Sequence, residues 1–286
     1  MIVERFTQTE FAILNALGTF RFLTPTQMLQ IGVTKAKPHL HKTLAHLRGQ
    51  KPALVNMLDF GRLPGVGRLS TVYFLTPSGG ELLSEARRQP VRTPKHVRFF
   101  NHDYFHRLYC VDIHIALSIW AKASGARINF FDTYYERKRK VKSAGSFFPQ
   151  TRISLAHGIL VPDIILSFSI KDGPERLCAL ELWTGRNTAD IAERQFVYLK
   201  ALCEGAVERT YDYSHEVRVL NVFVDERGLE LVRNRVDGGL GEYSSCYFLK
   251  TLESVQNDFV KEWQQFGQSG TVSLFGDFQT NNCVGV

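Results

Sequence analysis

The sequence predicts an α+β chain in two parts: three short helices, a hairpin and a closing helix, followed by a mixed sheet flanked by helices. Three observations predict it. Helix-start signals recur at Thr7, Thr24 and Pro38, each ahead of apolar residues at helical spacing. Apolar runs bounded by turn residues read as strands over 158–168, 177–183 and 217–224. The charge is uneven: residues 1–100 carry 14 Lys/Arg against 5 Asp/Glu, and the remainder carries 21 against 23. At 286 residues there is room for two ordinary domains. The expected boundaries are a first domain over 1–90, a basic linker over 91–100, a second domain over 101–266 and a flexible tail over 267–286.

Thr7-Gln-Thr-Glu10 is a capping box, and Phe11, Leu14 and Leu17 make the stripe of a helix expected from about Thr9 to Leu17, stopped by Gly18. Thr24 and Pro25 open a short second helix that ends near Gly32. Pro38 opens a third, closed by Gly49, with Leu40, Leu44 and Leu47 on one face and His39, Lys42, Thr43, His46 and Arg48 largely elsewhere. Strands over Ala53–Leu58 and Leu69–Leu75 flank Gly61–Arg68, which reads as a flexible basic loop. Thr76-Pro-Ser-Gly-Gly starts a further helix.

Together these elements describe a winged helix-turn-helix. In that fold the third helix enters the DNA major groove and the wing touches the backbone. Lys37, His39, Lys42, His46 and Arg48 are then expected to face the groove, and Arg62 and Arg68 the phosphates. A basic excess confined to this part of the chain points to a polyanion, with nucleic acid first. The same pattern also fits a protein-interaction module with a solvated basic face.

After the linker, Asn101 or Asp103 caps a helix to about Ala123. His102 and His106 are four apart on it, a spacing that suits either a metal or a hydrogen-bonded pair. Arg127–Glu136 reads as a strand, and Arg137-Lys-Arg-Lys140 as a basic loop that is either a solvated edge or a phosphate contact. Gly158–Phe168 and Leu177–Trp183 form a hairpin around the turn pair Asp172-Gly173, with one acid on each strand, Asp163 and Glu181. Then come a helix over Thr188–Cys203, a strand over Val217–Val224, a helix over Glu226–Val236, a strand at Cys246–Leu249 and a closing helix over Thr251–Phe266.

Two acids brought together on adjacent strands can hold a divalent cation, and such a cation can activate water against a phosphodiester. The bland readings are a turn-capping role for Asp163 and a buried ion pair of Glu181 with Arg186 or Lys200. The second part resembles the PD-(D/E)XK nuclease fold: Pro162-Asp163 matches its first element and Glu181 its second, 18 residues on. The resemblance implies Mg or Mn held by Asp163, Glu181 and the backbone carbonyl of Leu182. Trp183 stands where that pattern has lysine, so Lys200 on the following helix is the candidate substitute, with Gln195 as the helix glutamine. Glu136 and Asp112 are candidates for a further acid, and Tyr134, Tyr135 and Tyr198 are available for a covalent route.

Tyr73-Phe-Leu-Thr-Pro-Ser-Gly79, Asn101-His-Asp-Tyr-Phe-His106, Val161-Pro-Asp-Ile-Ile165, Ala179-Leu-Glu-Leu182 and a helix with Tyr198 and Lys200 are together similar to the replication-relaxation family of plasmids and mobile elements, related to MobC-type relaxases. Family members often have an acid where Trp183 stands. The resemblance implies double-stranded DNA at a plasmid origin or operator as partner, a homodimer, mobilization or replication accessory proteins, and nicking at a transfer origin. Its alternative is an adaptor or regulator whose nuclease-like domain has lost activity and docks proteins.

The start, Met1-Ile-Val-Glu-Arg, lacks the apolar core of a signal peptide, and no apolar stretch reaches the roughly 20 residues of a membrane span. Cys110, Cys178, Cys203, Cys246 and Cys283 show neither CxxC nor zinc spacing. They read as reduced thiols of a cytoplasmic protein without membrane insertion.

Overall fold

A computed structural model describes residues 6–94, 103–139, 147–170, 173–185, 187–236 and 238–275. Two compact units divide the chain, Met1–Ile115 and Ala116–Val286. The first holds α1 (Gln8–Phe20), α2 (Pro25–Gln30), α3 (Lys37–Gly49), β1 (Val55–Leu58), β2 (Arg62–Leu63), β3 (Gly67–Arg68), β4 (Val72–Leu75), α4 (Pro77–Arg87) and the beginning of α5 (Tyr104–Ser124). Thr7 with Glu10 and Thr24 with Gln27 close two capping boxes, and the Thr76 hydroxyl accepts from the Gly79 N–H. Each satisfies amides that a helix start leaves without partners. The core gathers Ile13, Leu14, Leu17, Leu40, Leu44 and Leu47 against Val55, Leu75 and Leu83. A fully buried side chain of this size contributes about 1.5–3 kcal/mol.

Gly18 does not stop α1, which continues to Phe20 and ends at Arg21 with φ 70°. A Cβ at Gly18 would meet Leu83 Cδ2 at 2.4 Å, so glycine is there to let α4 approach. The segment expected as a flexible loop is an ordered hairpin tip. Arg62 pairs with Arg68 and Leu63 with Gly67, and positive φ at Gly65 and Gly67 makes the turn.

The second unit holds the rest of α5, then β5 (Arg127–Thr133), β6 (Arg137–Arg139), β7 (Phe147–Pro149), β8 (Ile153–Leu155), β9 (Gly158–Leu160), β10 (Ile164–Ser169), β11 (Glu175–Trp183), α6 (Thr188–Cys203), α7 (Ala206–Tyr211), β12 (Arg218–Phe223), α8 (Glu226–Val236), β13 (Tyr247–Thr251), α9 (Leu252–Asn257) and β14 (Gln264–Gln265). Six strands form one mixed sheet in the order β14-β13-β12-β11-β10-β5. The β11–β12 and β12–β13 pairs are parallel and the others antiparallel. Residues of α6 and α8 cluster with Leu177, Ala179, Val219 and Leu249 in one core. Strand alternation turns Leu166, Phe168, Leu180 and Leu220 to the other face. There Trp120, Phe168 and Phe275 meet with ring centroids 5.4–5.5 Å apart.

Several expectations are corrected. The run over 158–168 is two strands: Pro162 has no N–H for a ladder, and β9 pairs with β8 in a separate hairpin. Arg137–Arg139 is a strand paired with β7, not a loop. The closing helix ends at Asn257. There the Asp258 carboxyl accepts from the Val260 and Lys261 amides and turns the chain, which buries Trp263. The tail expected from 267 contains packed residues, since Leu274 and Phe275 are buried; 276–286 lie outside the described residues. The short helix α7 carries no start signal in the sequence and went unforeseen. Asn101, His102, Lys140, Asp172, Arg186, Cys283 and most of the linker lie outside the described residues.

Candidate functional site

On α3, Leu40, Leu44 and Leu47 are fully buried, which leaves the opposite face in solvent. Lys37, His41, Lys42 and Arg48 are exposed there. His39 and His46 are exposed too, and each reaches a residue at the start of α1. His39 Nε2 lies 3.2 Å from Thr9 Oγ1, and His46 Nε2 lies 3.3 Å from Glu10 Oε1 and 2.7 Å from Gln50 Nε2. His41, not singled out from the sequence, shares the exposed stripe with Lys37 and Arg48 at helical spacing. At the hairpin tip Arg62 is exposed and Arg68 donates to Asp59 at 3.0 Å.

In the second unit, the β10–β11 register sets Ile164 opposite Leu180, which puts Asp163 opposite Glu181 on the same face. Their carboxyls are within hydrogen-bond reach of each other. The Leu182 N–H donates to Asp163 Oδ2 at 2.8 Å. Glu181 is buried, and its Oε1 takes the Tyr198 hydroxyl at 2.8 Å and the Arg194 guanidinium at 2.8–2.9 Å. Arg194 also donates to the Val161 carbonyl at 2.7 Å, so one side chain ties the two arms of the hairpin together. Burial pushes the Glu181 carboxyl well above the usual carboxylate range, and the Asp163 charge acts in the same direction against Arg194 and Tyr198. Burial likewise raises the Tyr198 phenol, which suits a hydrogen-bond donor to Glu181 and not a nucleophile.

Behind this pair, Asn221 registers beside Glu181 on β12. Its Oδ1 accepts from Trp183 Nε1 and from Gln195 Nε2, both at 2.9 Å. Gln195 is therefore bonded to Asn221 and to the Ile191 carbonyl. Lys200 is exposed, roughly half a turn around α6 from Tyr198. The cation beside the acids is Arg194, four residues before Tyr198 and on its face of the helix. That i, i+4 spacing was the available signal. Asp112 belongs to the first unit, where Gln27 Nε2 donates to it at 2.7 Å and burial lifts its carboxyl to about 6. Glu136 Oε2 lies 3.4 Å from the Thr133 amide and hydroxyl, at the turn after β5. Tyr134 and Tyr135 pack edge to face. His106 Nδ1 sits 3.8 Å from Asp103.

Among the described residues no three His, Cys, Asp or Glu side chains gather as a cation site. Buried Glu181 and half-buried Asp163 bring carboxylate oxygens together beside Arg194, a hard-oxygen donor set of the kind a divalent cation takes. Among the described residues no helix is long and apolar enough to cross a membrane. The chain matches no family model, no curated protein and no solved structure.

Proposed function

We propose that this chain is a double-stranded DNA-binding protein of plasmid or mobile-element replication and mobilization, with a metal-dependent nicking domain. In this reading the first unit is a winged helix-turn-helix that places α3 in a major groove. The second unit is a PD-(D/E)XK-like module. The observation that supports the reading is the approach of Asp163, just before β10, to Glu181 on β11, with the Leu182 amide donating to Asp163.

Asp163, Glu181 and the carbonyl of Leu182 would hold Mg or Mn, which supplies Lewis-acid activation of water and of the scissile phosphate. The chain's own residues prepare that site. Arg194 and Tyr198 fix Glu181 through Oε1. The Leu182 amide fixes Asp163 through Oδ2. Arg194 supplies a fixed positive charge where the resembling pattern has its lysine, and it reaches there from α6 instead of from β11. Lys37, His41, Lys42 and Arg48 contact the groove, and Arg62 and Arg68 the phosphates; His39 and His46 help orient α3 against α1.

A second reading is favoured by the Arg194–Glu181 bond and by Trp183: a DNA-binding adaptor or regulator whose acid pair is neutralised by its own arginine. Supercoiled plasmid carrying candidate origins separates the two. Conversion to the nicked form with Mg, lost in Asp163→Ala, supports nicking. Duplex binding that is lost in the Lys42→Ala, Arg48→Ala double variant, without any nicking, supports the adaptor. Absence of duplex binding by the wild type would remove both.

A further inference from the structure

The six-stranded sheet carries a second charged cluster, at the opposite end of β11 and on the opposite face from Glu181. Cys178 on β11 registers with Arg218 on β12, and Arg176 precedes Cys178 by two, on the same face. Arg176 Nε and Arg218 Nη1 are both buried, and neither atom has a hydrogen-bond partner among the described residues. The guanidinium of Arg218 lies over the Phe248 ring, 5.2 Å from its centroid.

The Glu216 charge favours the Arg218 cation, but among the described residues no acid hydrogen-bonds Arg176 Nε or Arg218 Nη1. Glu175 accepts from the Ser167 hydroxyl and from Asn129 Nδ2, and Glu216 Oε1 accepts from the Cys246 thiol. Burial pushes the Cys178 thiol up to about 12, so it stays neutral between the two arginines. Burial also lowers Arg218 from its ordinary value, with the Arg176 charge acting in the same direction. Two neighbouring arginines, each with one buried, unpartnered N–H nitrogen, are costly unless an acceptor with several anionic oxygens joins them. The planar fork of arginine matches a phosphate oxyanion in that role.

We propose that Arg176 and Arg218 form a phosphate-binding site, distinct from the acid pair. The phosphate is either a free monoester or inorganic ion, or a diester of a DNA backbone, and two arms of one experiment tell these apart. In the first arm, inorganic phosphate is titrated calorimetrically into the full chain, with chloride of equal ionic strength as control. Wild type is expected to bind phosphate. Arg176→Gln with Arg218→Gln is expected to weaken binding at least tenfold, and Arg218→Lys, which keeps charge and loses the fork, to weaken it less. Equal thermal melts of the variants without phosphate confirm that the fold is kept.

In the second arm, duplex affinity is measured against salt. If the site holds backbone phosphate, the slope of log affinity against log salt drops by about 0.9 in the double variant, as expected when one phosphate is no longer neutralised. Since the first arm uses no DNA, its outcome is independent of the function proposed above. Wild type and double variant alike in both arms would overturn the proposal.

Discussion

On α3 the charged side chains stand in solvent, and the helix would fold without them. Its energy comes from Leu40, Leu44 and Leu47 beneath. Beside β11 the charges are inside, and the fold has to answer for each one. Glu181 needs Tyr198 and Arg194 to be tolerable, against both burial and the neighbouring Asp163 charge. Exposed charge is cheap and adapts to whatever binds, whereas buried charge is expensive and is kept in a fixed geometry. The first kind of surface suits recognition of a polyanion, and the second suits a fixed site.

That contrast can be broken most forcefully at Arg194. Arg194→Ala leaves the buried Glu181 carboxylate without its guanidinium, and a loss of about 3–5 kcal/mol is expected at pH 8 in urea denaturation. With Glu181 already biased toward its protonated form, the loss should shrink as pH falls toward 4, since Glu181 then takes up a proton. A pH-independent loss would mean that Arg194 acts through packing alone.

Asp112 supplies the converse case. Its carboxyl is raised from 3.8 to about 6, mainly by burial. The folded state therefore holds the proton more tightly than the unfolded state. The contribution is fully present below about pH 4 and is lost as pH rises through about 6. Asp112→Asn, which removes the ionisation, should stabilise at pH 8 by up to about 3 kcal/mol and change little at pH 4. Thermal melts at the two pH values check this.

A smaller loss is expected at Gly18. Gly18→Ala presses a methyl group against Leu83 and should destabilise by about 1–3 kcal/mol. Smallest in stability is the double change Lys42→Ala and Arg48→Ala, within about 0.5 kcal/mol of wild type, because both side chains are exposed. The same pair should lower the salt slope of duplex binding by about 1.8. A stability loss without a change in that slope would place these residues in the fold and not in recognition.

The parts of this architecture that depend on local chemistry were legible in the sequence. The Thr7 and Thr24 capping boxes, Pro25 and Pro38 near helix starts, and the leucine stripe of α3 all act over three or four residues. So were the strand β11 and the placing of one acid on each arm of the hairpin. What escaped depended on distant partners. The extension of α1 through Gly18 is decided by Leu83, and the end of α9 by the Asp258 turn that buries Trp263. At the acid pair, Arg194 was overlooked in favour of Lys200 because a charge count alone does not say which side of α6 meets the sheet. Tyr198, fully buried, marks that side, and Arg194 lies one turn before it. The contacts of the exposed His39 and His46 with Thr9 and Glu10 also depend on distant partners.

The central claim is that Asp163 and Glu181 together accept a divalent cation, and calorimetric titration with Mn tests it most directly. The wild type should bind one ion, with the heat lost in Asp163→Ala and in Glu181→Gln while their folded signatures persist. No heat in the wild type, or the same heat in all three proteins, would contradict it and leave the acid pair as a strut held by Arg194.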